Sequence, residues 1–280
     1  MAKVWFVGAG PGDPELITVK GMRLLQTAGA VLYAGSLVSH ACTRYAAKEA
    51  LIADSKGMDL AAICDWLITQ AQGNRDVVRL QTGDPSLYGA LVEMMQPLEA
   101  AGIEIGIVPG VSSAFAAAAA AAESLTLPEV TQTVIFTRVA GRTPMPQGES
   151  LAKLAAHGTT LCIFLSITLL AKVRSDLLEA GWSDNAPVVV VYKASWPEEE
   201  RVVRAPLAEI AAACQAAGVT SQAMILVSPA LGARDWPTLQ RSKLYDEHFS
   251  HRFRRGLYPK SLEMMEGGKV ANPHELSKPK

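Results

Sequence analysis

The sequence predicts an α/β fold in which two α/β domains enclose a ligand cleft. Short apolar runs typical of strands alternate with helical patterns from residue 3 to residue 227. The alternation restarts near residue 125, and turn residues follow several of the predicted strands. Because open α/β sheets bind ligands beyond the carboxyl ends of their strands, these turns mark the expected site.

The first half of the chain predicts a mainly parallel sheet with helices on both faces. Its predicted strands are Lys3–Gly8, Ala30–Tyr33, Asp76–Gln81 and Ile103–Val108. Its predicted helices are Thr18–Ala28, Leu60–Gln72, Ser86–Ala101 and Ser112–Glu123. Gly102 directly follows the third helix, where glycine is a common stop signal.

The second half repeats the alternation with different residues. Its predicted strands are Thr133–Thr137, Thr160–Leu165, Pro187–Tyr192, Arg201–Arg204 and Ala223–Val227. Its predicted helices are Glu149–Ala156, Leu169–Ala180 and Pro206–Ala217. We therefore predict one α/β domain over 1–124, a second over 125–240, and a basic, partly disordered extension over 241–280.

The overall charge excludes a globally basic surface. Lys and Arg number 26 against 27 Asp and Glu, a net charge of −1, which offers no general attraction to nucleic acid or anionic membrane. The six basic residues of Arg241–Lys260 face only two acidic ones, a local excess of +4. The longest apolar run, Ala114–Ala122, is far shorter than the roughly 20 residues of a membrane-spanning helix.

The cysteines and histidines predict no metal site. Four widely spaced cysteines, Cys42, Cys64, Cys162 and Cys214, are typical of reduced, buried thiols in a cytoplasmic protein. His248 and His251 form the one close histidine pair, and no Cys or His stands at zinc-site spacing from them. A solvated or ion-paired histidine pair is the favoured interpretation. The N-terminal apolar run is too short for a signal peptide.

The run Gly8-Ala9-Gly10-Pro11-Gly12-Asp13 lies between a strand and a helix, as dinucleotide-binding turns do. Asp13 stands where the motif needs its third glycine, and a carboxylate there would repel a pyrophosphate. The second strand ends without an acid for a ribose, and no Gly-Lys-Ser/Thr follows the run. NAD and ATP are therefore disfavoured. The run predicts a sharp turn of little bulk, in which Asp13 either caps the next helix or contacts a ligand.

Three further polar turns follow predicted strands: Thr82–Gly89, Val108–Ser113 and Tyr192–Glu198. An Asp beside Gly can accept hydrogen bonds from a ribose or an ammonium, and paired serines at a helix start can cap it or bind a carboxylate. Each turn alone is explained as readily by turn chemistry, but four in one chain favour a shared cleft. The alanine run 116–122 indicates either tight core packing or close approach to a ligand.

These turns together resemble the tetrapyrrole methylases, which use S-adenosylmethionine (SAM) and hold it folded between two α/β domains. Val7–Asp13, with Leu16, Thr18 and Gly21, resembles the first family signature. Gly83-Asp84-Pro85 with Gly89 resembles the second, and Pro109–Ser113 the third. The match keeps its order from Lys3 to about Pro229.

The resemblance implies a cytoplasmic, homodimeric enzyme with SAM as cofactor and S-adenosylhomocysteine as product. It implies a small-molecule tetrapyrrole substrate and no metal, nucleic-acid or membrane partner. The cofactor-binding residues that it implies are Pro11, Thr82, Gly83, Asp84, Leu87, Ser112, Ser113, Leu165, Ala194, Ala223 and Met224. Because tetrapyrroles carry many carboxylates, basic groups should rim their site. The candidate substrate contacts are Asp13, Arg138, Arg142 and Lys193, for which ordinary surface charge is the alternative.

Two stretches narrow the resemblance to the family members that methylate a ring carbon on the way to cobalamin. They are Leu32–Val38 and Ser242–Tyr245, the latter followed by Phe249–Arg254. Related uroporphyrinogen methylases usually carry an Asp after the tyrosine of the second strand, proposed as a base. This chain has Ala34-Gly35 there, so no catalytic residue is predicted.

Three questions stay open at the level of sequence. The basic stretch 241–260 is also compatible with an RNA methylase of the same fold. The fold class further includes a methylase that modifies a histidine of a protein. The chain is also compatible with a carrier of SAM or tetrapyrrole that transfers no methyl group. Finally, the sequence does not distinguish a metal-free substrate from a cobalt-bound one.

Overall fold

A computed structural model describes residues 2–239 and 242–257. The chain up to Asp235 forms one compact unit, and the part from Trp236 is a second unit, taken by itself below. The described strands are β1 Lys3–Gly8, β2 Ala30–Tyr33, β3 Leu51–Asp54, β4 Val77–Gln81, β5 Glu104–Val108, β6 Val134–Arg138, β7 Thr160–Phe164, β8 Pro187–Tyr192, β9 Arg201–Pro206 and β10 Ala223–Val227. The described α-helices are α1 Val19–Thr27, α2 Leu60–Gln72, α3 Leu91–Ala100, α4 Ser113–Ala120, α5 Leu151–Ala155, α6 Leu170–Glu179 and α7 Ile210–Ala216.

The first sheet is parallel throughout and has the strand order β3-β2-β4-β1-β5. One face carries Phe6 and Leu32 against α2 and α3, and the other carries Val31 and Leu80 against α1. Since both faces of the central strands are covered, β1, β2 and β4 are mainly apolar. The prediction of a parallel sheet between helices is confirmed, and the carboxyl ends of all five strands lie along one edge.

The second sheet is mixed and has the order β6-β7-β10-β8-β9. Only β6 and β7 pair in parallel, whereas β10 runs antiparallel to both of its neighbours and β9 runs antiparallel to β8. Helices α5, α6 and α7 cover one face. The alanine helix α4 covers the other, with Ala114 and Ala117 fully buried against Val191 and Met224. Tight packing is therefore the role that the structure shows for the alanine run.

Three elements differ from the sequence prediction. Helix α3 begins at Leu91 instead of Ser86, because Tyr88 and Ala90 have positive φ angles of 54° and 49° that no α-helix accommodates. Helix α7 begins at Ile210 instead of Pro206, which ends β9. Strand β3 was not predicted, because this edge strand is short and largely exposed and so carries little apolar signal.

The remaining predicted elements agree within a few residues at each end. All four cysteines are free and buried, as predicted. The domain boundary near residue 125 stays a prediction. No helix among the described residues is long and apolar enough to cross a membrane.

The second unit is a set of turns around Arg254. The Arg254 guanidinium donates to the carbonyl oxygens of Leu244 and Asp246 at 2.8 and 2.5 Å. Nδ1 of His248 lies 3.2 Å from the Asp246 carboxylate, so this histidine sits beside an acid, in line with the ion-paired interpretation. No group of three metal-ligand side chains occurs in 2–239 or 242–257. Most of the predicted disordered extension, residues 241 and 258–280, lies outside the described residues.

Candidate functional site

Three glycine turns meet at the carboxyl edge of the first sheet. Ala9 N–H donates to the Gln81 carbonyl and Gly83 N–H donates to the Gly10 carbonyl, both at 2.8 Å. A Cβ added at Gly8 would lie 2.5 Å from Cα of Gly110 and 2.6 Å from the carbonyl oxygen of Gly83. The glycines are therefore required, because three backbones contact each other here and leave no room for a Cβ.

Asp84 ties two of these turns together. Its Oδ2 accepts a hydrogen bond from Gly110 N–H at 2.9 Å, and its Oδ1 accepts from the N–H of Ser86 at 2.9 Å and from its hydroxyl at 2.5 Å. Partial burial acts to raise the pKa of Asp84, but the hydrogen bonds from Ser86 and Gly110 outweigh it and lower this pKa below its ordinary value. Asp84 is therefore held as a carboxylate.

Two predicted polar residues cap short helices. The Ser112 hydroxyl accepts from Ala114 N–H at the start of α4, and the Asp13 carboxylate accepts from Glu15 N–H at the start of a short 3₁₀ turn. Capping satisfies backbone donors that the helices leave unpaired. Asp13 therefore caps this 3₁₀ turn and not the predicted helix, because Thr18 is the N-cap of α1.

A cleft lies beyond these turns and continues to the second sheet. The eleven residues predicted to bind the cofactor all line it: Pro11, Thr82, Gly83, Asp84, Leu87, Ser112, Ser113, Leu165, Ala194, Ala223 and Met224. Their predicted role in cofactor binding stays a prediction. The structure adds lining residues that were not predicted for the cofactor: Leu37, Tyr88, Phe164, Ile167, Val191, Lys193, Trp196 and Gln222.

The cleft wall contains unusual backbone. Tyr88, Leu165, Lys193 and Gln222 all line it with positive φ angles between 45° and 54°. Non-glycine residues rarely adopt this conformation, and it tends to cluster at ligand-binding sites. Sequence patterns carry no signal for it, because none of these residue types favours such angles.

Of the four predicted substrate contacts, only Lys193 lines the cleft. Its ammonium pairs with the Glu199 carboxylate, whose hydrogen bond is the main cause that raises the pKa of Lys193. Arg138 donates to the carbonyl oxygens of Thr143 and Pro144 at 3.3 and 2.7 Å. Asp13 and Arg142 are not among the lining residues.

A carboxylate stands beside Gly35, where the sequence shows none. Oδ1 of Asp54, at the end of β3, accepts from Gly35 N–H at 2.9 Å, and a Cβ at Gly35 would lie 2.5 Å from Cγ of Asp54. Burial and the Asp54 carboxylate both raise the pKa of Tyr33. The sequence did not indicate this carboxylate because strand β3, which brings it there, was not predicted.

A buried arginine lies near that carboxylate. Arg79 is 5% exposed and donates from Nη1 to the Ser55 hydroxyl at 2.8 Å, while its Nε has no hydrogen-bond partner among the described residues. Burial lowers the pKa of Arg79 to about 10, against the opposing effect of Asp54. The same end of the sheet therefore holds an acidic side chain and a buried arginine.

The fold and the cleft define an α/β protein with a ligand site at the carboxyl edge of its parallel sheet. The family model for tetrapyrrole (corrin/porphyrin) methylases matches residues 3–211. The chain belongs to this family, as its three glycine turns indicated.

The alignments with curated relatives span nearly the whole length of those proteins. The chain is 48% identical over 255 residues to the cobalt-precorrin-4 C(11)-methyltransferase of Priestia megaterium, covering 91% of this chain and 98% of that protein. It is 44% identical over 253 residues to the precorrin-4 C(11)-methyltransferase of Pseudomonas aeruginosa, covering 90% and 99%.

Solved structures agree with the fold. The X-ray structure of a cobalt precorrin-4 methyltransferase matches with a TM-score of 0.79 and 49% identity, covering 82% of this chain and 95% of that one. A uroporphyrin-III C-methyltransferase from Thermus thermophilus, complexed with S-adenosylhomocysteine, matches with a TM-score of 0.67 and 29% identity, covering 84% and 100%. The predicted fold class is thereby confirmed.

Proposed function

We propose that this protein transfers the methyl group of SAM to C11 of precorrin-4, which gives precorrin-5 during cobalamin synthesis. The cobalt-bound form of precorrin-4 is the alternative substrate. The observation that carries the proposal is that every residue of the implied cofactor set lines one cleft. The relatives named for this reaction, at 44 and 48% identity, support it.

The cleft residues fit a folded SAM molecule. The lining is mostly apolar with a few polar groups, as is usual for small-molecule sites. Leu165, Ala194 and Met224 offer apolar surface to an adenine ring, and the Asp84 carboxylate is the acidic group of the lining. An acid near the site is favourable for a cofactor that carries an ammonium and a sulfonium.

SAM supplies a methyl group bonded to a positively charged sulfur, and the neutral thioether that remains is a good leaving group. In the transfer, an electron pair of the macrocycle forms the new bond from C11 to the methyl carbon. The methyl–sulfur bond breaks, its electrons stay on sulfur, and a proton leaves the macrocycle to restore its charge. The residues of the chain therefore need mainly to hold the two reactants in line, because proximity removes much of the barrier.

Basic residues near the cleft are proposed to hold the carboxylates of the macrocycle. Arg138 is the stronger candidate, because its guanidinium is bound only by carbonyl oxygens among the described residues and its charge acts on Tyr88 in the cleft wall. Lys193 already pairs with Glu199, which competes with a substrate carboxylate. Arg142 lies in the loop that follows Arg138, and Asp13 lies in the turn after β1; both remain weaker candidates. We also propose that the enzyme is a cytoplasmic homodimer.

The test is to incubate the purified protein with methyl-labelled SAM and either precorrin-4 or cobalt-precorrin-4. We expect one label per macrocycle, located at C11 by NMR, and the preferred substrate identifies the metal state. Unlabelled macrocycle from both substrates, with the preceding and following enzymes active in the same preparation, would overturn the proposal. SAM binding without transfer would favour the carrier, and salt-dependent RNA binding would favour an RNA methylase.

A further inference from the structure

The turn after β8 reaches across the cleft to the first glycine turn. The indole Nε1 of Trp196 donates to the Pro11 carbonyl oxygen at 3.0 Å, and the Ser195 hydroxyl accepts from Asp13 N–H at 3.1 Å. These two hydrogen bonds, between residues more than 180 positions apart, are called the Trp196 clasp below. It joins the loop of one sheet to the loop of the other.

Gly12 is shaped to receive this indole. A Cβ at Gly12 would lie 2.5 Å from Nε1 and 2.8 Å from Cγ of Trp196, closer than such atoms can approach. Gly12 is not among the glycines with positive φ, so alanine is compatible with its backbone. The three atoms nearest to such a Cβ all belong to the ring of Trp196, so this ring is the main obstacle to a side chain at Gly12.

The far side of the clasp is held under strain. Lys193 and Ser195 have φ angles of 45° and 67°, and the Lys193 ammonium lies 4.7 Å from the centre of the Trp196 ring. Ser195 N–H donates to Oε2 of Glu200 at 2.6 Å. Backbone of this kind persists only where its surroundings hold it, and it clusters at ligand clamps.

A second link lies at the other rim of the cleft. Gln222 has a φ of 46°, and its side-chain Nε2 donates to the Ser36 carbonyl oxygen at 2.8 Å. Pro11, Trp196 and Gln222 all line the cleft. Any movement of these links would therefore change its width.

We propose that Trp196 is a positioning residue that sets the width of the cofactor cleft by seating its indole on Gly12. This inference rests on the proposed function, because it takes the occupant of the cleft to be SAM or S-adenosylhomocysteine. Trp196 acts through the position of Pro11 and the glycine turn. It therefore controls cofactor affinity more than the methyl-transfer step.

The test is a double-mutant cycle of Gly12→Ala, Trp196→Ala and both together, with S-adenosylhomocysteine affinity measured by calorimetry. Each single substitution is expected to weaken binding about tenfold or more. The double variant is expected to match Trp196→Ala alone, because the new methyl group enters space that the indole has left. Gly57→Ala is the matched control, since a Cβ there meets nothing within 4 Å, and it should bind normally.

Kinetics and fluorescence separate positioning from general damage. With Trp196→Phe we expect a raised KM for SAM and a kcat within about threefold of the wild type at saturation. The change in tryptophan fluorescence on binding S-adenosylhomocysteine should disappear in Trp196→Phe. It should persist in Trp182→Phe, whose indole donates to the Ala155 carbonyl in the core of the second sheet.

The outcomes distinguish this proposal from the reaction itself. Normal affinity in both single variants, or additive losses in the double variant, would overturn the role of Trp196 while leaving the methyl transfer intact. Normal S-adenosylhomocysteine binding without transfer to either precorrin would overturn the reaction and leave the clasp standing. A wild-type protein that binds no S-adenosylhomocysteine would overturn both.

Discussion

At the scale of single residues, Asp84 shows how one side chain combines structure with a site. It lines the cleft while its two oxygens accept hydrogen bonds from Gly110 and Ser86. The sequence indicated Asp84 as a candidate because it follows Gly83. Its hydrogen bond from Gly110, 26 residues away, is visible only in the folded structure. An acid so held is already oriented before a ligand arrives.

Replacing Asp84 by Asn should weaken S-adenosylhomocysteine binding about tenfold. The amide group that replaces one oxygen cannot accept, so one of the hydrogen bonds from Ser86 or Gly110 is lost along with the negative charge. Calorimetry measures the effect, and Asp59→Asn, at the N-cap of α2, is the control for a capping acid elsewhere. Unchanged affinity would mean that Asp84 serves the turns alone.

The same carboxylate should contribute to acid stability. Because the pKa of Asp84 is lower in the folded protein than its ordinary value of 3.8, its contribution is complete above that value and is lost as the pH falls through the folded one. As the pH falls below the ordinary value of 3.8, the unfolding temperature should therefore decline more steeply in the wild type than in Asp84→Asn. Parallel declines would contradict the assigned hydrogen bonds.

At the scale of elements, the turns after β1, β4 and β5 form one backbone cluster. Their glycines serve mutual contact instead of phosphate binding, which agrees with the failed dinucleotide motif. The sequence indicated that the turns lie near each other, because parallel strands end at one edge. It did not indicate that Gly8, Gly83 and Gly110 touch, since that depends on the strand order.

Gly110→Ala should therefore be strongly destabilising. Its Cβ would lie 2.7 Å from Cα of Gly8 and overlap the carbonyl oxygen of Gly83, and neither backbone atom can move without disturbing its strand. We expect a loss of about 3 kcal/mol in the free energy of unfolding. Chemical denaturation measures it, with Gly141→Ala as the control, where a Cβ contacts only the flexible end of Leu169. Equal stability of the two variants would exclude the proposed crowding.

The start of helix α3 shows where tertiary contacts, and not the local apolar pattern, set the boundary of an element. The apolar spacing in Ser86–Ala101 predicts one continuous helix, yet its first five residues lie outside the helix, and Leu87 and Tyr88 among them line the cleft. Asp84 and the hydrogen bond from Gln81 Nε2 to the Gly89 carbonyl, at 2.5 Å, hold that segment in a turn. Tertiary contacts thus override helix propensity beside the site.

At the scale of the whole molecule, the cleft belongs to both sheets. Pro11 and Asp84 come from the first, and Ala194 and Met224 come from the second. The alanine helix α4 follows the last strand of the first sheet but packs on the second. The two halves of the chain therefore meet around the ligand site.

Cofactor binding should stabilise both halves together. At a S-adenosylhomocysteine concentration about 100 times its Kd, the free energy of unfolding should rise by about 2.7 kcal/mol. In a chain of this size that is a rise in Tm of several degrees. Calorimetry should show a single unfolding transition that moves as a whole to higher temperature. The control is the same buffer without S-adenosylhomocysteine, at equal ionic strength. A shift confined to part of the transition would contradict a shared site.

The sequence by itself determined the alternation of strands and helices, the parallel first sheet and the three turns that identify the family. These follow from local patterns, namely hydrophobic period, glycine and proline, which act over a few residues. Only the tertiary structure decided that β10 runs antiparallel between β7 and β8, that Asp54 faces Gly35, and that Trp196 sits on Gly12. These contacts join residues that are distant in the chain, and their partners are selected by how the packed elements exclude water and fill space, which no local pattern records.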